Sequence, residues 1–323
     1  MKQTRAFLWL GVARITDPNL VNPWGQAATA TSPLWVADNT SNVSTVYTGG
    51  VDGSIPDVAS LVVSIPAGNP SGIVANQTTG FVITTATGSA PANFIFDSES
   101  GVLSAWSGKV SGTTADIEYS SRRGVYKGLA LASVGATPYL YATNFRKARI
   151  DVFNDEFQLV RWRGAFQDPQ ISAGYAPFNI ELLNGDLYVT YAMQDKSKHD
   201  DVPGPGNGYV DIYSTSGVLI DHLIARGDLN SPWGLAIAPA TFGTFAGDLL
   251  VGNFGDGAIH AYDPSTGTAE GQLKNTDGNP ILIDKLWALQ FGNGKFASPQ
   301  TLVFTAGIAD EEHGLLGEID PAN

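Results

Sequence analysis

The sequence predicts an all-β chain that folds as a six-bladed β-propeller, and three observations lead to this fold class. A short run with a recurring pattern opens an apolar segment six times, and the starts of these runs lie 47 to 57 residues apart, a spacing typical of propeller blades. Each run is followed by strands in which apolar residues alternate with polar ones. The chain also contains 37 Gly and 18 Pro, which suits many turns between short strands.

The opening runs begin the innermost strand predicted for each blade. They are Pro23-Trp24-Gly25, Pro70-Ser71-Gly72, Lys127-Gly128-Leu129, Pro177-Phe178-Asn179, Pro232-Trp233-Gly234 and Leu286-Trp287-Ala288. The glycines are expected to permit close backbone approach. The large amphipathic rings suit packing between blades. The alternative is a funnel for a ligand, lined by Trp24, Phe178, Asn179, Trp233, Phe254 and Trp287.

The remaining strands follow in order along the chain. Second strands are predicted from Leu34, Asn93, Leu140, Leu187, Leu249 and Leu302, third strands from Val43, Gly101, Ala148, Tyr209 and Ala258, and outer strands from Leu61, Ala115, Gln158, Leu219 and Glu270. Five blades therefore have four antiparallel strands. The sixth ends one strand short, and an N-terminal strand from about Arg5 to Val12 is predicted to supply it. Such closure removes exposed sheet edges, and residues 1–323 then form a single domain.

Composition excludes several classes of function. The formal net charge is −13, so nucleic acid is a poor partner for this surface. Cysteine is absent, which rules out disulfides, zinc–thiolate clusters and a thiol nucleophile. The apolar stretch from Ala6 to Ala13 fits a β-strand, or alternatively the core of a signal peptide. No apolar run reaches the ~18 residues that a membrane span needs.

Sequence motifs do not name a reaction. The chain contains no nucleophile elbow of a serine hydrolase, no zinc-protease helix motif, no Walker loop and no dinucleotide-binding glycine run in a strand-to-helix context. The chemistry must therefore be sought in the loops.

One face of a propeller collects the loops that precede the innermost strands and those that join second to third strands. Asp38, Asn144 and Asn253 recur at one repeat position there. Carboxylate and amide oxygens suit a hard cation such as Ca²⁺, and the same residue types are also ordinary turn residues. Both interpretations stay open.

Two loops on this face carry further polar groups. The long loop of residues 193–208 contains Asp195 and His199, and the segment 310–313 ends in His313. Loops this long are usually functional or mobile, and imidazoles suit proton transfer near neutral pH. The alternative for residues 193–208 is a solvated excursion stiffened by proline. His222 and His260 lie within alternating strands and are expected to be structural.

A set of motifs in order resembles one uncharacterised bacterial family of six-bladed propellers. The motifs are 17–25, 34–39, 141–145, 174–180, 204–211, 230–236, 247–257 and 286–293, and the resemblance spans about residues 15–319. The family is similar in build to NHL-type propellers, is often exported, and in some members carries a PEP-CTERM sorting tail. The resemblance implies an extracytoplasmic protein, either periplasmic or secreted. Separately, we expect the chain to be a monomer.

Broader six-bladed relatives include calcium-dependent gluconolactonases and phosphotriesterases, which hold an axial cation on Glu, Asn and Asp side chains. That resemblance implies a metal role for Asn144, Asn253 and Asp38. No early catalytic Glu matches in this sequence.

Two functional hypotheses follow. The first is a binding propeller that takes a small molecule, a glycan or a protein on the axial face. The second is a Ca²⁺-dependent hydrolase of the lactonase or esterase type, in which Asp38, Asn144 and Asn253 hold the ion. In that enzyme His199, Asp195 or His313 would move protons.

Overall fold

The computed structural model describes residues 13–321, together with the backbone of two short strands, Lys2–Gln3 and Phe7–Leu8. Within this part, regular structure is β-strand apart from the 3₁₀ helices Val51–Gly53, Phe145–Lys147 and Gly243–Phe245. None of the helices described is long and apolar enough to cross a membrane.

The strands form six antiparallel blades, and each blade is built from the innermost strand outward. Blade 1 contains Pro23–Ala27, Leu34–Asp38, Val43–Thr48 and the outer pair Asp57–Val58 and Val63–Ser64. Blade 2 contains Pro70–Ala75, Phe94–Ser98, Val102–Trp106 and Asp116–Ser120. Blade 3 contains Tyr126–Val134, Thr137–Asn144, Arg149–Phe153 and Leu159–Val160.

The second half of the ring repeats this order. Blade 4 contains Tyr175–Leu183, Asp186–Met193, Tyr209–Tyr213 and Leu219–Ala225. Blade 5 contains Pro232–Ile237, Leu249–Asn253, Ile259–Tyr262 and Ala269–Gln272. Blade 6 contains Leu286–Phe291, Leu302–Ala306 and Leu315–Asp320. An additional hairpin, Val82–Thr85 and Gly88–Pro91, is inserted after the innermost strand of blade 2.

The predicted fold class and its closure by the N-terminus are confirmed. Lys2–Gln3 and Phe7–Leu8 both pair antiparallel with the last strand, Leu315–Asp320. Of the predicted closing strand, residues 5–6 and 9–12 lie outside the described residues. The first and last segments of the chain thus complete blade 6 together.

Each innermost strand carries a β-bulge at or beside its opening run. In blade 1 the pairing shifts between Pro23 and Gln26, and in blade 3 between Tyr126 and Leu129. Proline lacks the N–H that regular pairing requires, and a bulge re-aims the side chains beside it. Since Tyr126 pairs with Asn144 as Pro23 pairs with Asp38, the run of blade 3 starts one residue earlier than the sequence pattern indicated.

Glycine recurs at the third position of the opening run because the neighbouring blade lies too close for a side chain. A Cβ on Gly25 would lie 2.6 Å from the carbonyl oxygen of Ser71, and one on Gly234 would lie 2.5 Å from that of Trp287. Both of these oxygens belong to the innermost strand of the next blade. Glycine therefore lets neighbouring innermost strands touch around the axis.

Candidate binding site at the axial face

Aromatic side chains from several blades fill the centre of the ring. The rings of Trp24 and Trp287 stack with centroids 3.6 Å apart, and Phe254 lies 4.2 Å from Trp287. Trp233 and Phe178 contact the same indole at 5.8 and 6.0 Å. All five side chains are at most 6% exposed. The rings pack against one another and offer a ligand little surface, so their role in ligand binding stays a prediction.

Hydrogen bonds fix two of these indoles across the axis. Trp233 Nε1 donates to the carbonyl oxygen of Lys127 at 3.0 Å, and Trp287 Nε1 donates to Asn22 Oδ1 at 3.0 Å. Asn179 takes the place of glycine in blade 4, and its Nδ2 donates to the carbonyl oxygen of Trp233 at 2.9 Å. Asn179 is buried and thus joins blades 4 and 5.

Lys127 brings a positive charge to this aromatic centre. It occupies in blade 3 the position of Trp24 in blade 1, and its Nζ lies 4.9 Å from the centroid of that ring. The same Nζ is 2.5 Å from Glu99 Oε1 and 3.2 Å from Asp200 Oδ1, and the side chain is 2% exposed. Burial lowers the pKa of Lys127, but the charges of Glu99 and Asp200 raise it by more. The pKa of Lys127 therefore lies above its usual value. The ammonium group therefore remains charged.

The network of polar contacts around Lys127 joins residues of four blades. Asn39 of blade 1 donates from Nδ2 to Glu99 Oε2 at 2.9 Å and to the carbonyl oxygen of Pro70 at 3.2 Å. Glu99 belongs to blade 2, Lys127 to blade 3 and Asp200 to the long loop of blade 4. We call Asn39, Glu99, Lys127 and Asp200 the axial polar cluster.

The long loop, residues 193–208, is tied down where it crosses the face. Gln194 Nε2 donates to the carbonyl oxygen of Phe145 at 2.5 Å, and the amide of Gly204 donates to Asn230 Oδ1 at 2.6 Å. At the tip, Asp195 Oδ1 accepts a hydrogen bond from the amide of His199 at 2.8 Å. The imidazole Nδ1 of His199 lies 2.8 Å from Asp200 Oδ1. The tip thus faces the axial polar cluster.

Asp195 acts mainly as an acceptor that orders this tip. Burial raises the pKa of its carboxyl group, but hydrogen bonds from the Ser197 hydroxyl and the amides of His199 and Asp200 together outweigh it and lower the pKa to about 2. A carboxylate with so low a pKa is a weak base. Its predicted part in proton transfer stays a prediction.

The loop of blade 6 reaches the same face in a strained conformation. Ala309, Asp310 and Glu311 have consecutive φ values of 55°, 54° and 66°, which cost energy for residues other than glycine. Burial raises the pKa of Glu311, as does the charge of Glu99, while Lys127 is among the groups that lower it. Glu311 therefore lies within electrostatic reach of the axial polar cluster.

His313, also a predicted proton-transfer residue, follows this turn and is partly buried. Its carbonyl oxygen accepts a hydrogen bond from the amide of Asn22 at 3.4 Å. The loop of blade 6 is thereby joined to the segment that leads into blade 1.

The three predicted metal ligands each form a hydrogen bond with another group of the protein. Asp38 Oδ2 accepts from Thr45 Oγ1 at 2.7 Å. Asn144 Nδ2 donates to Asp151 Oδ2 at 2.7 Å, and Asn253 Nδ2 donates to the carbonyl oxygen of Asp228 at 2.8 Å. These contacts agree with turn and strand-end chemistry. The role of the three residues as Ca²⁺ ligands stays a prediction.

Two other groups of three side chains, in the part of the chain that is described, offer ligand atoms within 4.8 Å of one another. They are Glu99, His199 and Asp200 at the axial face, and Asp168, Asp211 and His222 in and beside blade 4. In the first group the ammonium of Lys127 already contacts both carboxylates.

The sequence patterns missed Lys127 and Glu99 as site residues, whereas Glu311 lies in the predicted polar segment 310–313. Four other blades have Trp or Phe at the position that Lys127 occupies. A charged residue at this repeat position was the signal in the sequence of a polar site on the axis. Glu99 belongs to a loop whose partner Lys127 lies 28 residues away in the sequence, so nothing local distinguished it.

Comparison with curated proteins finds relatives in a virus. The chain is 30% identical over 313 residues to the uncharacterized protein R648 of Acanthamoeba polyphaga mimivirus, covering 94% of this chain and 76% of that protein. It is also 30% identical over 311 residues to the uncharacterized protein L690 of the same virus, covering 94% and 81%. The expected bacterial family therefore needs correction, since these relatives are viral. No protein-family model matches the chain.

Solved structures share the fold. Selenomethionine-substituted virginiamycin B lyase from Staphylococcus aureus matches with a TM-score of 0.53 and 14% identity, covering 98% of each chain. A catalytically inactive variant of that enzyme with quinupristin matches with a TM-score of 0.50 and 12% identity, covering 94% of this chain and 82% of the other. At such identity the likeness concerns the propeller architecture alone.

Proposed function

We propose that this chain, which belongs to the family of the mimivirus proteins R648 and L690, is a binding protein that takes a glycan or another hydroxyl-bearing small molecule on its axial face. The observation that carries the proposal is the position of Lys127. Its charge is buried on the axis and held by loops of blades 2 and 4. Burying a charge is costly, so this placement is unexpected in a purely structural core.

The exposed groups around Lys127 indicate what the ligand offers. Asp200 is 63% exposed and His199 is 37% exposed, whereas the ammonium group itself is covered. Carboxylates accept hydrogen bonds, and a surface with a net charge of −13 repels anions. A ligand that donates hydrogen bonds through hydroxyl groups fits this surface.

The strained turn at Ala309 to Glu311 supports the same location. Left-handed backbone at residues other than glycine tends to occur where function requires it. In this loop Glu311 lies within electrostatic reach of Glu99 of blade 2 and Lys127 of blade 3.

The proposal is tested by screening the protein on immobilised glycans and measuring the affinity of any hit by calorimetry. D200N and E311Q are expected to weaken binding at least about tenfold, because each removes a charged acceptor. E270Q is the matched control, since Glu270 is exposed on the outer strand of blade 5. Glycan binding that is equal in all three variants would place the ligand elsewhere.

A catalytic role is the second candidate, and the contact of His199 Nδ1 with Asp200 Oδ1 at 2.8 Å favours it. A carboxylate that orients an imidazole is the usual arrangement for a general base. Hydrolysis of lactones and esters with and without Ca²⁺, and turnover of quinupristin, should be measured for the wild type and H199Q. Turnover by the wild type that is lost in H199Q supports an enzyme. No turnover by the wild type supports the binding protein.

The extracytoplasmic location and the monomeric state belong to the same proposal. The location rests on the family resemblance of the sequence, and the monomeric state is a separate expectation from the sequence. Cell fractionation and size-exclusion chromatography test them directly.

A further inference from the structure

We propose that Asp168, Asp211 and His222 form a binding site for a divalent cation of the Zn²⁺ type beside blade 4, separate from the axial face. Asp211 lies on the third strand of this blade and His222 on its outer strand. Asp168 belongs to the segment that connects blade 3 to blade 4. His222 Nδ1 lies 2.6 Å from Asp168 Oδ2 and 2.8 Å from Asp211 Oδ1.

The geometry exceeds what one imidazole nitrogen can satisfy by hydrogen bonding. Nδ1 carries at most one proton, yet two carboxylate oxygens approach it. Among the described residues, none forms a hydrogen bond to Asp168 Oδ2, and the side chain of Asp168 is 0% exposed. A buried, unpartnered carboxylate oxygen is costly. A cation bound between the three side chains would satisfy all three ligand atoms.

The other oxygen of each carboxylate is held by a separate donor. Asp168 Oδ1 accepts from the amide of Gln170 at 2.8 Å, and Asp211 Oδ2 accepts from the hydroxyl of Tyr213 at 3.0 Å. The Tyr213 hydroxyl in turn lies 2.8 Å from that of Tyr191. Outer hydrogen bonds of this kind orient the carboxylates of metal sites.

The ligand set indicates the class of metal. One imidazole nitrogen with two carboxylate oxygens suits Zn²⁺ or a similar transition-metal ion, which would keep a fourth position for water. Ca²⁺ prefers oxygen ligands alone and more of them. A cavity of about 400 Å³ is lined by Asp168 and Tyr191 among others.

The test uses the full-length protein after dialysis against a chelator, titrated with Zn²⁺ or Ca²⁺ while calorimetry and the melting temperature are recorded. We expect one Zn²⁺ per chain and a higher melting temperature, because a ligand that binds only the folded state stabilises it. Ca²⁺ should produce no such rise. The absence of a Zn²⁺-dependent rise in the wild type would overturn the proposal and leave a buried proton-sharing network.

Variants assign the ion to these residues. D168N and H222Q should weaken Zn²⁺ binding at least tenfold, and Y213F should weaken it roughly tenfold by releasing Asp211. H260Q is the matched control, since His260 is a partly buried strand histidine of blade 5 and belongs to neither group of three. Equal Zn²⁺ affinity in D168N and the wild type would refute the site. If H222Q does not fold, D168N decides, because Asp168 lies outside the strands.

Discussion

Lys127 shows how one residue can change the character of a repeated position. The side chains at this position in blades 1, 4, 5 and 6 are aromatic, whereas Lys127 places an ammonium group over the ring of Trp24 and between two carboxylates. A cation over an aromatic face is itself favourable. The charge of Lys127 is therefore stabilised by the ring of Trp24 and by the carboxylates of Glu99 and Asp200.

Replacing Lys127 by Met should lower the free energy of unfolding by about 3 kcal/mol, because Glu99 is left partly buried without its cation. D200N should cost less than about 1 kcal/mol, since Asp200 is largely exposed. Urea denaturation measures both. In the double variant K127M/E99Q the loss should be smaller than the sum of the single losses, and strict additivity would contradict the pairing.

The contribution of Asp97 to the free energy of unfolding should fall as pH rises. Burial raises its pKa to about 7, despite hydrogen bonds from the Ser71 hydroxyl and the Gly72 amide to Oδ1. The unfolded pKa is about 3.9, so between about pH 4 and 7 the folded state keeps a proton that the unfolded state releases. This contribution is greatest below pH 4 and falls by up to about 1.4 kcal/mol per pH unit until pH 7.

The variant D97N isolates that effect. Its Oδ1 can still accept both hydrogen bonds, and it cannot ionise. Unfolding free energies at pH 5 and pH 8 should therefore differ less in D97N than in the wild type. Equal differences in the two proteins would mean that Asp97 does not titrate in this range.

At the scale of the elements, the innermost strands depend on contact between their backbones. The bulge at each opening run and the glycine that follows allow the strand of one blade to touch that of the next. Side chains add to this contact, since Thr143 Oγ1 of blade 3 donates to the carbonyl oxygen of Phe178 in blade 4 at 3.1 Å.

G25A and G234A should each destabilise the protein by about 1–3 kcal/mol, because the added methyl group meets a carbonyl oxygen of the next blade. G108A is the control. Gly108 is exposed, and the nearest atom to a Cβ there is a ring carbon of Trp106 at 3.2 Å. Thermal unfolding measures the difference, and similar melting temperatures for G25A and G108A would argue against a close inter-blade contact.

These elements also show what the sequence could predict. The positions of Trp24, Trp233 and Trp287 located the innermost strands because a repeated pattern reports a repeated environment. The outer strands were less predictable. The strand predicted from Gln158 consists only of Leu159–Val160. An edge strand pairs on one side alone, so the alternation of apolar and polar residues is less strictly required there. The inserted hairpin of blade 2 was missed because it interrupts the repeat.

The site was harder to predict than the fold. Lys127 contacts Glu99 and Asp200, which lie 28 and 73 residues away in sequence. Only closure of the ring brings them together, and no local pattern encodes that meeting. The prediction that the 193–208 loop shares a face with the 310–313 segment relied on the repeat, and the positions of Asp200 and Glu311 agree with it.

At the scale of the whole molecule, the ring is closed by joining its two ends in blade 6. The last strand, Leu315–Asp320, pairs with Leu302–Ala306 on one side and with the N-terminal strands on the other. Without the N-terminal strands, the last strand would present an open edge.

Deletion of residues 1–12 should lower the melting temperature and promote aggregation, because unpaired strand edges recruit other chains. A synthetic peptide of residues 1–12, added in excess, should restore part of the lost stability by adding a strand to that edge. A deletion variant that melts like the wild type would show that closure does not depend on this segment.

The stacked rings at the centre separate the two faces of the propeller. Because Trp24, Trp287 and Phe254 occupy the axis, a molecule held beside Asp200 enters and leaves through the same opening. Its residence time should then depend on how readily the 193–208 loop lifts from Phe145 and Lys127. Stiffening that loop would slow arrival and departure together, with little change in affinity.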